Sequence, residues 1–283
     1  MLKNLQTCHK IISCAEKKIG KKEALELFCF VANITKEEFY LQKDYPLNPD
    51  VLASFEEKVK QRLSGKPFQY ITNHVSFFNL ELYVDERVLI PRPETELLCE
   101  MAINKIKEFF KNNNSINILD IGAGSGAISF AVASNLKKSF VYGVDISSKA
   151  IEVANLNKSK NKIENVSFVC GDVFSPFTNQ SFDVIISNPP YVLSCEMEGL
   201  QKEVKQEPSL ALDGGEDGLI FYRRILKDAK KYLKNKGLII FEIHEDKGQE
   251  MCELAKEYNY SSYEVMKDYA GKDRFFVVQY DII

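Results

Sequence analysis

The sequence is short of metal ligands. Its three histidines, His9, His74 and His244, lie far apart, and its seven cysteines are odd in number and form no Cys-x-x-Cys pair. That spacing argues against a disulfide framework and against the usual zinc sites, so no metal is expected. Charge of one sign is also missing. With 37 basic and 40 acidic residues the formal net charge is -3, which supplies no global pull toward nucleic acid, and no direct nucleic-acid partner is expected. No apolar run approaches membrane-spanning length, and Met1-Leu2-Lys3-Asn4 leads into an amphipathic helix pattern rather than a signal-peptide core. No membrane association is expected, and the free thiols fit a reducing cytoplasm. Internal repeats and low-complexity segments are absent too.

What is present is a globular composition, 45% hydrophobic and 27% charged, in 283 residues, enough for one large domain and a smaller one. Residues 1–74 read as a small helical domain, with helical periodicity in Ile11, Ile12 and Ala15 and in Ala24, Leu25, Leu27 and Phe28. Thr35 and Glu38 have the spacing of a capping box, and Pro46 and Pro49 punctuate the next connection. Residues 75–93 carry the aromatic, alternating character of a short hairpin and are expected to join the domains. From residue 94 to 283, strands alternate with helices, the signature of a parallel sheet with crossover helices. Strands are expected at Ile116–Asp120, Val141–Asp145, Val166–Cys170, Phe182–Ser187, Leu238–Glu242, Ser262–Val265 and Phe275–Tyr280. Helices are expected at Glu94–Phe110, Ala127–Asn135, Lys149–Asn161, Leu219–Tyr232 and Gly248–Tyr258. Lys111–Ser115 reads as a polar turn.

The first strand runs into Gly122-Ala123-Gly124-Ser125-Gly126 and then a helix, where a glycine-rich loop brings backbone close to a ligand. Asp145 follows roughly 20 residues on, at the end of the next strand, where a carboxylate accepts from ribose hydroxyls. The constellation suits an adenosine-like ligand and leaves both NAD and S-adenosylmethionine open. After the third strand, Asp172 is a candidate acceptor for an adenine amino group, with Val173 lining the ring. The fourth strand ends in Asn188-Pro189-Pro190-Tyr191 beside the same crevice. The Asn188 side-chain oxygen and the Pro189 carbonyl are both acceptors, and proline has no N–H to compete, so the pair is suited to gripping a planar -NH2 group. A hydride-transfer enzyme has no evident use for that grip.

Together these motifs resemble the class I S-adenosylmethionine-dependent methyltransferases whose N/D/S-P-P-Y/F/W motif serves planar nitrogens. Ile90-Pro91-Arg92-Pro93-Glu94-Thr95-Glu96 and Gly65–Ile71 narrow the resemblance to the bacterial release-factor glutamine N5-methyltransferases, the PrmC or HemK family. Glu207-Pro208, Ala211–Gly215, Asp217-Gly218-Leu219 and Lys267–Arg274 are similar to its later blocks. The resemblance implies a Rossmann-like domain with a mostly parallel seven-stranded sheet behind a small N-terminal helical domain. It implies S-adenosylmethionine as methyl donor, S-adenosylhomocysteine as product, and methylation of the glutamine in the Gly-Gly-Gln motif of class-1 peptide release factors. On this reading Asn188 and Pro189 are catalytic, and Pro190 and Tyr191 complete the substrate site. Gly122–Gly126, Asp145, Asp172, Val173 and Asn188 bind the cofactor, and the N-terminal helices help to hold the release factor. The chain is expected to act as a monomer. A ribosomal-protein glutamine methyltransferase and a nucleic-acid base methyltransferase are the alternatives. The chain departs from the family pattern at His244, where glycine is common, at Lys247, where glutamine is common, and at Lys205-Gln206, in place of an arginine-aromatic pair. Arg92, Glu94 and Glu96 are left without individual roles.

Overall fold

The computed structural model describes residues 7–42, 48–113 and 115–281. Met1–Asn4, Pro46 and Asn114 of the polar turn lie outside the described residues. The chain divides into two compact units, one of residues 1–73 with 201–206, the other of 74–200 with 207–283.

The first unit holds α1 (Cys8–Ile19), α2 (Lys21–Ala32), α3 (Lys36–Gln42), α4 (Pro49–Leu63) and α5 (Phe68–Thr72). In α1, Cys8, Ile11, Ile12 and Ala15 are buried, the spacing that places side chains on one helix face. They join a core centred on Phe28, which meets Phe39 and Phe55 edge-on at 5.6 and 5.5 Å. Removing such a ring typically costs about 3–5 kcal/mol. The capping box is formed: Thr35 Oγ1 accepts from Glu38 N at 3.1 Å and Glu38 Oε2 accepts from Thr35 N at 2.7 Å. Asn48 caps α4 by accepting from Asp50 N, with Pro49 in the first turn, where its missing N–H costs nothing. Residues 201–206 enter this unit through Arg62, which donates to both Glu23 and Glu203.

The second unit opens with the hairpin β1 (Val75–Phe77) and β2 (Leu80–Leu82), whose turn residues Phe78 and Asn79 both have positive φ, the conformation a two-residue hairpin turn needs. Residues 75–93, expected to be a linker, are packed into this unit. Phe77 and Leu82 are fully buried in the same core as Leu98 and Ala102 of α6 (Pro93–Phe109), and the junction falls between Asn73 and His74.

A seven-stranded sheet follows, built from β3 (Ile116–Ile121), β4 (Ser139–Asp145), β5 (Val166–Cys170), β6 (Phe182–Ser187), β7 (Leu233–Glu242), β8 (Ser262–Lys267) and β9 (Asp273–Tyr280). Its order is β5-β4-β3-β6-β7-β9-β8, parallel except for the two pairs involving β9. The crossovers are α7 (Ala127–Asn135), α8 (Ser148–Asn161), α9 (Ile220–Ala229) and α10 (Gly248–Glu257). The central strands are apolar on both faces because both faces are covered. Ile118, Ile186 and Ile240 pack toward α6 and α7, while Leu119, Ile185 and Ile239 pack toward α9 and α10. The expected seven-stranded, mostly parallel sheet is therefore present, with small shifts at its ends. β7 starts at Leu233 and not at Leu238, because the polar run Lys234-Asn235-Lys236 hides a strand that carries a left-handed residue at Lys236 and a register irregularity against β6. α9 stops at Ala229, and Lys231 and Tyr232 close it with tight turns. Among the described residues no helix is long and apolar enough to cross a membrane.

The register positions the site. Ile121 pairs with Ser187 across β3 and β6, Ile121 with Val144 across β3 and β4, and Ser187 with Phe241 across β6 and β7. Gly122, Asp145, Asn188 and Glu242 thus leave four neighbouring strands at one level. In open parallel sheets, the carboxyl edge beside the reversal of strand order is where ligands gather.

Candidate active site

A cavity of about 240 Å³ opens along that edge, lined among others by Gly122, Gly124, Asp145, Asp172, Val173, Asn188, Pro189 and Pro190. Eight of the sequence-predicted site residues therefore face one space. Ala123, Ser125, Gly126 and Tyr191 do not line it, and each has structural work nearby. Ala123 and Gly126 close the glycine loop through a 2.8 Å backbone bond, and Ser125 gives its carbonyl to Asn157 Nδ2. Gly126 lies at φ +84°, and a Cβ there would come within 2.9 Å of the Phe168 ring and strike that of Phe130. At Gly122 an added Cβ would meet nothing, since that face is open.

Asp145 ties the loop to the next helix. Its Oδ2 accepts from Gly124 N and its Oδ1 from Ser147 N, both at 2.9 Å, while Ser147 caps α8. Burial raises the Asp145 carboxyl above its usual range, against those two N–H donors. Each oxygen keeps a lone pair, so the carboxylate is able to accept from a vicinal diol. Asp172 is held by Arg224, Nη2 to Oδ2 at 2.6 Å, and its own N–H is taken by Ser175 Oγ at 2.9 Å. Val173 sits at φ +51°, a conformation that costs a β-branched residue about 1–3 kcal/mol. Phe174, stacked on Tyr232 at 4.5 Å with rings 5° from parallel, anchors the turn that imposes it.

The Asn188 loop is held from behind. Val192 N donates to Leu212 O at 3.0 Å and Gly214 N to Val192 O at 2.8 Å. A Cβ on Gly214 would come within 2.8 Å of the Pro190 carbonyl oxygen, so only glycine allows this approach. Tyr191, partly buried, packs against the core with its ring 5.9 Å from that of His244, and burial pushes its hydroxyl up to about 12. His244 does not line the cavity.

Sequence reasoning missed several residues that build the site. Glu207, almost wholly buried, accepts from Ile90 N at 3.0 Å and from Arg92 at 2.5 Å, fastening the segment that carries cavity-lining Leu89 to the one that carries Pro208. Glu96 accepts from Phe78 N in the hairpin turn. Thr95 and Glu242, both buried, stand directly behind Asn188. Asn157, fully buried on α8, donates to both Tyr83 O and Ser125 O and joins the strand after the hairpin to the glycine loop. The Pro91–Glu96 motif marked this region without saying which side chains it meets. Among the described residues, no group of His, Cys, Asp and Glu is arranged to hold a metal ion.

Residues 112–275 match the family described as a methyltransferase domain, and residues 11–72 match the PrmC N-terminal domain. In structure the chain is similar to the catalytic domain of hMettl16, with a TM-score of 0.57 at 14% identity over 89% of this chain and 90% of that one. It is likewise similar to the T. thermophilus 16S rRNA N2 G1207 methyltransferase, with a TM-score of 0.52 at 16% identity over 73% and 49%. At those identities the likeness is one of fold. In sequence it is 40% identical to the release factor glutamine methyltransferase of Thermodesulfovibrio yellowstonii, over 91% of this chain and 92% of that protein. It is 35% identical to that of Flavobacterium psychrophilum over 99% of both. Likeness of this extent, running through both units, makes the chain a member of the release factor glutamine methyltransferase family.

Proposed function

We infer that this protein transfers a methyl group from S-adenosylmethionine to the side-chain amide nitrogen, N5, of the glutamine in the Gly-Gly-Gln motif of class-1 peptide release factors. The observation that carries the reading is the meeting of Asn188 and Pro189 with Gly122 and Asp145 in one cavity. The cavity suits the donor: an open glycine face, a carboxylate with free lone pairs, and apolar walls from Val144, Ile146, Val173 and Ile225. When bound, S-adenosylmethionine supplies an electrophilic methyl whose bond to sulfur breaks as the bond to nitrogen forms.

The chain's own residues deal with a poor nucleophile. The lone pair of an amide nitrogen is delocalised into its carbonyl. Asn188 Oδ1 and the Pro189 carbonyl accept both amide hydrogens, present one face of the nitrogen to the donor and stabilise positive charge developing there. Pro190 has no N–H to compete for the Pro189 carbonyl. No strong base is required, because the excess proton is acidic once the nitrogen has gained its methyl, and it passes to water. Orienting the two reactants contributes up to roughly 7–11 kcal/mol to lowering the barrier. Residues 11–72, which match the PrmC N-terminal domain, would hold the body of the release factor.

The test is incubation with methyl-labelled S-adenosylmethionine and, in turn, a class-1 release factor, ribosomal proteins, DNA and RNA. Label is expected on the release-factor glutamine, and label on nucleic acid alone would sink the reading. Asn188→Ala should lower turnover by about 10²–10³-fold or more while the donor still binds.

A further inference from the structure

Behind the proposed amide clamp lies a buried relay. Asn188 Nδ2 donates to Thr95 Oγ1 at 3.0 Å, and Thr95 Oγ1 donates to Glu242 Oε2 at 2.8 Å. Thr95 and Glu242 are 4% and 1% exposed, and neither lines the cavity. We propose that Thr95 and Glu242 are positioning residues that fix which end of the Asn188 amide faces the substrate. The proposal rests on the reading of Asn188 as the clamp, and it explains how the clamp acquires its polarity.

An asparagine amide is nearly symmetric in shape, with an acceptor at one end and two donors at the other. Turned over, Asn188 would present an NH2 to an incoming NH2 and grip nothing. The relay forbids that orientation. A hydroxyl has one hydrogen, and Thr95 spends it on a carboxylate that has none to give, so toward Asn188 the hydroxyl is an acceptor only. It therefore holds Nδ2 and leaves Oδ1 for the substrate. The direction depends on Glu242 being ionised. As the acid, Glu242 donates to Thr95, the hydroxyl is released to donate to Oδ1, and both orientations are permitted.

The surroundings hold this carboxyl near its switching point. Burial pushes it up to about 7, opposed by Thr95 and by Arg274 on β9. Glu94 and Cys99 face it from α6, and Tyr191 from the loop after β6. From α9, the Tyr222 hydroxyl donates to the Glu242 main-chain oxygen at 2.8 Å. Oε1 has no hydrogen-bond partner among the described residues, so Thr95 is the main hydrogen-bond hold on the carboxylate, with a smaller contribution from the Asn188 side chain itself, whose NH2 end is the only one that can donate to it.

The experiment compares wild type with Thr95→Val, Thr95→Ser and Glu242→Gln in release-factor methylation, alongside calorimetric titration with S-adenosylmethionine. Thr95→Val should lower kcat by about 10–100-fold with donor affinity unchanged, and Thr95→Ser should restore most of the loss. Wild-type kcat should rise with pH through the region near 7, and Glu242→Gln should be slower and lose that dependence. In protein labelled with ¹⁵N-asparagine and free of substrate, the Asn188 side-chain signal, identified by its loss in Asn188→Ala, should shift in Thr95→Val and titrate with pH only while Glu242 is present. That signal does not depend on the substrate's identity, so a wild type that labels another protein would overturn the substrate reading and leave the relay standing. Undiminished kcat in Thr95→Val, equal losses in Val and Ser, or an Asn188 signal indifferent to Thr95 would overturn the relay.

Discussion

Beneath α6 and α7, two carboxyls are buried at the ends of neighbouring sheet regions: Asp120 on β3, behind the glycine loop, and Glu242 on β7, behind Asn188. Each gives one oxygen to a helix hydroxyl, Asp120 to Ser129 on α7 at 2.5 Å and Glu242 to Thr95 on α6 at 2.8 Å. Each leaves its other oxygen without a partner among the described residues, and burial lifts both to about 7. By burial and acidity they are twins. They differ in where the hydroxyl leads, because Thr95 also holds Asn188, whereas among the described residues the Ser129 hydroxyl makes no hydrogen bond beyond the one to Asp120. The same chemical support fastens a helix to the sheet in one region and, in the relay proposed above, sets the polarity of the Asn188 amide in the other. A raised pKa marks burial in both, and the second hydrogen bond is what singles out Glu242.

The largest effect that separates them concerns stability and pH. Asp120 ionises near 3.8 in the unfolded chain and at about 7 in the fold, so between those values the folded state holds a proton that the unfolded state has released. Its contribution is complete below about 4, declines as pH rises and is lost by about 7, a fall on the order of 4 kcal/mol. Glu242 adds a similar, somewhat smaller decline. Asp120→Asn should remove roughly half of the loss seen on going from pH 4 to pH 8, measured by denaturant unfolding, and leave the pH dependence of kcat in place. An unchanged stability slope, or a flattened kcat profile, would break the distinction.

That distinction was not legible in the sequence, whereas most of the fold was. The parallel strands between residues 116 and 187 announce themselves because each apolar run ends in a turn signal at the sheet's carboxyl edge, and β5 and β6 begin and end where the pattern says. The glycine loop, Asp145 and Asn188 were readable because each sits on such a strand end. Thr95 and Glu242 were not readable as a pair, because 147 residues separate them and only the folded register of β6 and β7 brings Glu242 level with Asn188. The entry of residues 201–206 into the helical unit was equally silent, since it depends on Arg62 reaching Glu23 and Glu203. Val173 gave no sign of its left-handed backbone, which the sequence pattern of valine argues against.

Within the glycine-loop region a second contrast sharpens the first. Gly126→Ala must fit a methyl against Phe130 and Phe168 at positive φ, and should cost about 2–4 kcal/mol of stability. Gly122→Ala keeps only the backbone strain, about 1–2 kcal/mol, because its Cβ would point into open space. That space is the cavity, so Gly122→Ala should weaken donor binding out of proportion to its effect on stability, and Gly126→Ala the reverse. Thermal unfolding and calorimetry on the same two variants test the pair, and equal effects on both measurements would show that the loop acts as one unit.

The smallest effect concerns Asp145, the carboxylate in this region that lines the cavity. Its two oxygens already accept from Gly124 and Ser147, so Asp145→Asn keeps one acceptor, turns an NH2 toward one of those N–H groups and offers the ribose a weaker partner. Hydrogen bonds to a charged group contribute about 1.5–3 kcal/mol against about 1 for neutral ones, so donor affinity should fall by about 10-fold. The rate at saturating donor should hold, because the Asn188 relay is untouched. A fall in saturated kcat as large as the fall in affinity would mean that Asp145 also positions the reacting methyl, and the division between a side that holds the donor and a side that orients the amide would have to be redrawn.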